Sequence, residues 1–152
     1  NSRLYYLNLN ECTKLKFSTS LNNLKNIKHL FLRGLKDDFL LKLNFYKFSN
    51  LIQIDFGLTN LSLINENLFD NLLYKLKKIN FKDSYGNFTL KQTDLLTELI
   101  ELHLSKSVSF FNEYILFYDS IELEILDLSN LNLTNQNLEE KFQFSLFSSL
   151  TR

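Results

Sequence analysis

The feature that most constrains the fold is a run of leucines at fixed spacing in residues 122–133. Counted from Leu123, leucines occupy the first, fourth, sixth, ninth and eleventh places of the stretch LEILDLSNLNL. The alternation Leu126-Asp127-Leu128 turns one set of side chains inward and the other outward, as on a short β-strand. A strand this short buries its inward side only when similar units stack beside it. The pattern therefore predicts a repeat protein.

The same spacing recurs along the whole chain. Six motifs begin at positions 4, 27, 51, 76, 99 and 123, at intervals of 23 to 25 residues. Single matches arise by chance in a leucine-rich chain, but six matches at a near-constant period do not. We therefore interpret residues 1–152 as one repetitive segment with about six repeats. The chain contains no methionine, and we expect it to be a fragment, a processed product or the ordered part of a longer repeat array.

Composition narrows the classes of protein that this chain can belong to. With 152 residues, of which 45% are hydrophobic and 22% charged, it can bury a substantial core. Seventeen basic and seventeen acidic residues cancel, so the overall electrostatic signature of a nucleic-acid-binding protein is missing. One cysteine excludes an internal disulfide framework and favours a reducing compartment. No apolar run is long enough to span a bilayer. We expect an intracellular, cytoplasmic protein.

The segments between the motifs predict how the chain returns from one strand to the next. We expect several of their phenylalanines to form a stacked aromatic column behind the sheet: Phe17, Phe39, Phe48, Phe69, Phe88, Phe111, Phe117 and Phe142. Asparagine or aspartate precedes apolar residues at three-or-four spacing in three of these segments, as helix N-caps do: Asp37-Asp38, Asn65 and Asn135. Short helices or single helical turns are predicted there.

The spacing L-x-x-L-x-L-x-x-N/C-x-L that these motifs follow resembles the leucine-rich-repeat family, and the resemblance covers the whole chain. It implies an α/β fold: a curved right-handed solenoid with a parallel β-sheet on the concave face and short helices or helical turns on the convex side. It also implies asparagines at the ninth place, whose side chains satisfy the backbone of the turns. This sequence departs from that pattern, with Cys12, Leu35, Thr59, Ser84, Ser107 and Leu131 at the ninth place. Because leucine has no polar side-chain atom, we expect the two leucine turns to satisfy their backbone otherwise.

Pairing of the strands in register would place the outward residues in three rows across the concave face. The central row is Asn8, Phe31, Asp55, Asn80, His103 and Asp127; one flank is Tyr6, His29, Gln53, Lys78, Glu101 and Ile125; the other is Asn10, Arg33, Gly57, Lys82, Ser105 and Ser129. Tyr6, His29, Phe31 and Arg33 then cluster near the N-terminal end, and aromatic residues and arginine are the usual anchors of protein interfaces. The candidate protein-binding residues are Tyr6, Asn8, His29, Phe31, Arg33, Gln53, Asp55, Lys78, Asn80, Lys82, Glu101, His103 and Asp127.

The sequence offers little support for an enzyme, a metal site or a cofactor. His103 and Asp127 are neighbours in the central row, but no serine or cysteine nucleophile completes a catalytic set. His29 and His103 lie three strands apart, roughly 14 Å, which is too far for one metal ion. A group of lysines around the fourth motif could contact phosphate or an acidic partner, although Glu101 and Asp83 dilute its charge: Lys75, Lys77, Lys78 and Lys82. We interpret the lysines as a solvated surface and predict no enzymatic activity and no cofactor.

The function that follows from this pattern is that of a protein-interaction module or scaffold, which binds a partner protein on the concave face. Nucleic acid and membrane are not expected partners. Two alternatives stay open from the sequence. The chain could be the substrate-recognition or regulatory arm of an enzyme system, such as a ubiquitin-ligase receptor or a phosphatase regulator. It could instead be a structural subunit of a large protein or ribonucleoprotein complex, in which the lysines would carry the contact and binding would weaken steeply with salt.

Overall fold

A computed structural model describes residues 3–64, 72–86, 96–106 and 122–131 of the chain. Six strands of three residues each form one sheet: β1 Tyr6–Asn8, β2 His29–Phe31, β3 Gln53–Asp55, β4 Lys78–Asn80, β5 Glu101–His103 and β6 Ile125–Asp127. The strands lie in chain order, and every neighbouring pair is parallel. The predicted strand positions are confirmed, and so is an α/β architecture built on a parallel sheet.

One face of the sheet is covered by the core. The middle residue of each strand is apolar, and in β2 to β5 it is fully buried: Leu30, Ile54, Ile79 and Leu102. The corresponding residues of the two outermost strands, Leu7 and Leu126, are only partly buried. Because side chains alternate along a strand, the residues on either side of the middle one point to the opposite face. We call that opposite face the open face.

The core behind the sheet contains the three predicted phenylalanines that the structure describes, together with aromatic rings that were not predicted. Phe39 and Phe48 are buried as predicted, and the ring of Phe17 packs edge-on against Phe39 with centroids 5.4 Å apart. A second group of rings lies at the ends of the strands: Phe56 and Phe81, which directly follow β3 and β4, stack at 5.9 Å, and Phe45 lies 5.5 Å from Phe56. The other phenylalanines of the predicted column lie outside the described residues: Phe69, Phe88, Phe111, Phe117 and Phe142.

Within the described residues, the connections between β1 and β4 contain short helical turns. One four-residue α-helix, α1, spans Asp37–Leu40, and 3-10 turns span Thr19–Asn23, Phe45–Lys47, Leu61–Leu63 and Leu73–Lys75. The predicted N-cap role of Asp37 and Asp38 is wrong, because Lys36 holds the cap position and both aspartates lie in the first turn of α1. Carboxylates are favourable there because they face the positive end of the helix dipole. The predicted caps Asn65 and Asn135 are not among the described residues.

Every strand leaves the sheet through the same kind of turn. The eighth residue of each repeat has a positive φ between 53° and 66°: Glu11, Gly34, Leu58, Asp83, Lys106 and Asn130. In the two leucine turns, the ninth residue donates its N–H to the carbonyl of the sixth, at 3.2 Å from Leu35 to Leu32 and 3.3 Å from Leu131 to Leu128. These turns therefore satisfy their backbone without a polar side chain, as expected.

Hydrogen bonding between repeats continues past the strands into these turns. The left-handed residues of the first five repeats each donate their N–H to a carbonyl of the next repeat, over 2.7 to 3.2 Å. The third and fourth turns add a side-chain bond, since the hydroxyls of Thr59 and Ser84 each donate to a backbone carbonyl at 2.5 Å. Both hydroxyl side chains are buried. The sheet and its turns thus form one continuous hydrogen-bonded frame, which fixes the side chains of the open face.

Candidate protein-binding face

The strand register brings the predicted rows together on the open face. Tyr6, His29, Gln53, Lys78, Glu101 and Ile125 pair in succession along one row, and Asn8, Phe31, Asp55, Asn80, His103 and Asp127 pair along the central row. Parallel neighbours lie about 4.8 Å apart, so side chains in one row contact one another. The candidate residues are therefore adjacent in space although they are spread over more than 120 residues of sequence.

Most polar side chains of the central row are bound to their own backbone. Each asparagine or aspartate accepts a hydrogen bond from the N–H two residues further on, at 2.7 to 3.0 Å: Asn8, Asp55, Asn80 and Asp127. These N–H groups follow the last strand residue, where the regular ladder has ended. An acidic or amide side chain that folds back in this way is an Asx turn. The row is therefore part of the frame, which the sequence analysis missed.

Phe31 and His103 are the two central-row residues that do not make this bond among the described contacts. After β2 the missing acceptor is supplied by the neighbouring repeat, because the N–H of Arg33 donates to the side-chain oxygen of Asn10 at 2.9 Å. The turn after β2 is thereby satisfied although Phe31 cannot accept a hydrogen bond. Phe31 is therefore at the Asx-turn position of its repeat but accepts no hydrogen bond from the turn.

Tyr6, His29 and Phe31 form a contiguous aromatic cluster on β1 and β2. The ring of Tyr6 lies 5.0 Å from that of Phe31 and 6.1 Å from that of His29, tilted by 38° and 37°. His29 Nδ1 is also 3.0 Å from Oε1 of Gln53 on β3, which fixes the orientation of the imidazole. Tyr6 is 54% exposed, and the other two side chains are half-buried. The predicted clustering of these three residues is confirmed.

The Arg33 side chain forms a long-range ion pair. Its Nη2 lies 3.1 Å from Oδ2 of Asp83, fifty residues further along the chain. The guanidinium crosses the third repeat at Gly57, where a Cβ atom would collide with Arg33 Nη1. Asp83 is also approached by Lys106, with Nζ 3.8 Å from Oδ1. Arg33 is thus engaged within the chain, whereas the sequence analysis expected it to be an interface anchor.

The β4 to β6 half of the open face carries a chain of charges. Lys78 Nζ lies 2.6 Å from Oε1 of Glu101, and the two ring nitrogens of His103 lie 3.8 Å from Glu101 and 3.7 Å from Asp127. Burial of the Asp127 carboxyl opposes its ionisation, but hydrogen bonds from the side chain and the backbone N–H of Ser129 lower the pKa of Asp127 below its ordinary value of 3.8. Lys78 and Glu101 therefore form a close ion pair, and the His103 imidazole lies between the carboxylates of Glu101 and Asp127.

Three positions that the sequence placed on the open face are covered. Asp55 is 8% exposed and Ser105 is 1% exposed, and Gly57 is buried beneath the Arg33 side chain. The carboxylate of Asp55 faces the N–H of Gly57 at 2.7 Å, so its role in this face is to support the turn. The candidate residue Asp55 therefore lies in the predicted row, but its side chain is buried.

The other candidate sites gain little from the structure. His103 and Asp127 are too far apart for a hydrogen bond, at 3.7 Å. In the neighbouring row the Ser105 hydroxyl is buried, and the Ser129 hydroxyl is bonded to the Asp127 carboxylate. Within residues 3–64, 72–86, 96–106 and 122–131, no three His, Cys, Asp or Glu side chains are placed to hold a metal ion. Three of the four lysines of the predicted patch have partners: Lys75 donates to the carbonyl of Ser49, Lys77 lies near Glu98, and Lys78 pairs with Glu101.

Compared with protein-family models, with curated proteins and with solved structures, the chain matches none of them. In the part of the chain that the structure describes, no helix has the length and apolar character needed to cross a membrane.

Proposed function

We propose that this chain is a leucine-rich-repeat segment whose function is to bind a partner protein on the open face, with the aromatic cluster as the anchor. In this proposal the six repeats belong to a solenoid and the open face is its concave side. The single cysteine, Cys12, which carries a free thiol, supports a reducing, cytoplasmic location.

The observation that carries the proposal is the residue type at Phe31. Four of the six repeats use this position for the asparagine or aspartate of an Asx turn. The second repeat has a half-buried aromatic ring there, and Asn10 supplies the hydrogen bond that Phe31 cannot make. A residue that departs from the structural requirement of its position, with a compensating contact beside it, is expected where function determines the side chain.

The chemistry of the cluster suits an interface. Tyrosine and phenylalanine lose little conformational entropy on binding and supply large apolar area, so they dominate the energetics of many interfaces. The rings of Tyr6 and Phe31 contact each other and are held by a hydrogen-bonded sheet, so they are already ordered before a partner binds. Preorganisation of this kind reduces the entropic cost of association.

A regulatory or substrate-recognition arm of an enzyme system would bind its partner through the same face. The identity of the partner distinguishes that alternative from a scaffold. A ribonucleoprotein subunit is less well supported, because the lysines that would contact phosphate are mostly paired within the chain.

Site-specific cross-linking in a lysate of the native cells tests the proposal. The photoreactive residue p-benzoylphenylalanine replaces Tyr6 in one variant and Phe31 in another. Tyr46 is the matched control, since it is 50% exposed but lies in the 3-10 turn Phe45–Lys47, outside the sheet. We expect one protein to be cross-linked from both cluster positions and not from position 46. Identical products from all three positions, or none from the two cluster positions, would contradict the proposal.

A further inference from the structure

The open face is divided into two halves of different chemistry. The outward rows of β1 to β3 contain the aromatic cluster together with the uncharged residues Asn8, Asn10, Gln53 and Gly57. The outward rows of β4 to β6 contain the charge chain of Lys78, Glu101, His103 and Asp127. This division bears on the chemistry of the partner, because an interface must match or neutralise every charge that it desolvates.

The two charged residues within the β1 to β3 half are already satisfied. Arg33 pairs with Asp83 at 3.1 Å, and its side chain is 25% exposed. Asp55, which is the register neighbour of Phe31, is buried and accepts the N–H of Gly57 at 2.7 Å. Neither group needs a charge from a partner, and a partner that offered one would have to break an existing contact.

A charged side chain placed over Phe31 would therefore lose its hydration without gaining a counter-charge. The ring faces of Tyr6 and Phe31 do not attract an anion, and their cation–π attraction for Lys or Arg is weaker than the hydration that a desolvated ion loses. An uncharged apolar side chain gains contact area with both rings at no such cost. The amide groups around the cluster can serve the peptide groups of a bound segment.

We infer that the partner contacts the aromatic cluster with an uncharged segment whose side chains are aromatic, aliphatic or proline. This inference rests on the proposed function and specifies the chemistry of the partner. The charge chain of β4 to β6 then lies beside the contact, where Lys78 and Glu101 are already paired at 2.6 Å and meet no charge of the partner segment.

Selection from a phage-displayed library of random peptides, about twelve residues long, tests this chemistry on the 152-residue chain. We expect enriched peptides to be rich in Tyr, Trp, Phe, Leu or Pro and depleted in Asp, Glu, Lys and Arg. The enrichment should be lost in a Tyr6→Ser, Phe31→Asn double variant and retained in Tyr46→Ser. Enrichment of acidic or basic peptides, equal enrichment on the double variant, or no enrichment at all would overturn the inference.

The salt dependence of a selected peptide provides a second readout. Binding through the cluster should change by less than about threefold between about 0.05 M and about 0.5 M NaCl, because no net ion pair forms. Affinity for a peptide held by the lysines would fall at least tenfold over that range. The outcomes also separate the two proposals. A partner cross-linked at Tyr6 and Phe31 while selection yields charged peptides would leave the binding function intact and refute only the uncharged chemistry.

Discussion

Replacing Asp55 by alanine should destabilise the protein more than removing the equivalent turn hydrogen bond at a place where the N–H donor is exposed to water. The carboxylate of Asp55 accepts the N–H of Gly57 at 2.7 Å, and both residues are buried. Without this acceptor the N–H of Gly57 is left in a place that water does not readily reach. The matched substitution is Asn80→Ala, which removes the equivalent bond from a half-buried side chain to the N–H of the exposed residue Lys82.

The expected loss of unfolding free energy follows from the cost of leaving a buried N–H group without an acceptor. Leaving a buried donor without a partner costs about 1–3 kcal/mol, whereas an exposed donor regains water and the change costs about 0.5–1 kcal/mol. Asp55→Asn keeps an acceptor oxygen at nearly the same position and removes only the charge, so most of the stability should return. We therefore expect the free energy of unfolding to fall by about 2 kcal/mol for Asp55→Ala.

Urea denaturation at 25 °C, followed by circular dichroism, measures these differences. The reasoning would be refuted if Asp55→Ala lost no more stability than Asn80→Ala. It would also be refuted if Asp55→Asn were as unstable as Asp55→Ala, since the carboxylate charge and not the turn bond would then be responsible.

Three further predictions concern the frame of the open face. Leu58→Gly should raise the free energy of unfolding by about 1 kcal/mol, because φ is +53° there and L-residues are strained in this region. Leu41→Gly, at an exposed position with φ of −59°, should lower it by about 0.5–1 kcal/mol; equal effects in urea unfolding would contradict the strain. Gly57→Ala should cost about 1–3 kcal/mol, because the new methyl group meets the Arg33 guanidinium and lies 2.9 Å from a backbone carbonyl of the next turn. That cost should shrink in an Arg33→Ala background, and an unchanged cost would show that the guanidinium does not cross there. Since the pKa of Asp127 is lowered on folding, its stabilising contribution is present above about pH 4 and is lost as pH falls through the folded-state pKa. Asp127→Asn should weaken the acid dependence of stability, and an NMR midpoint for Asp127 at or above 3.8 would refute the sign.

The strand positions and their register followed from the sequence because both depend on simple periodicities. Alternation along a strand places Leu30 inward and Phe31 outward, and a near-constant repeat length places each strand beside the equivalent residues of its neighbour. The meeting of Tyr6, His29 and Phe31 on one face follows directly from that register. The solenoid curvature and the family assignment stay predictions from the resemblance.

Contacts that depend on side-chain direction could not be read from the same pattern. The Asx turns had a sequence signal, namely asparagine or aspartate at one place in four repeats, but that place was interpreted as a binding row. The pairing of Arg33 with Asp83 had no comparable signal, because it depends on a guanidinium that crosses the intervening repeat where Gly57 leaves room. The helix cap at Lys36 shows the same limit, since propensity favoured the aspartates that follow it.

The most direct test of the account is the affinity of the Phe31→Asn variant for the protein that cross-links at Tyr6 and Phe31. Asparagine is the residue that the frame uses at this position in other repeats, so the variant should keep its free energy of unfolding to within about 1 kcal/mol. If Phe31 is an anchor of the interface, the dissociation constant measured by calorimetry should rise at least tenfold, equivalent to about 1.4 kcal/mol or more. An equally stable variant that binds its partner with unchanged affinity would contradict the account.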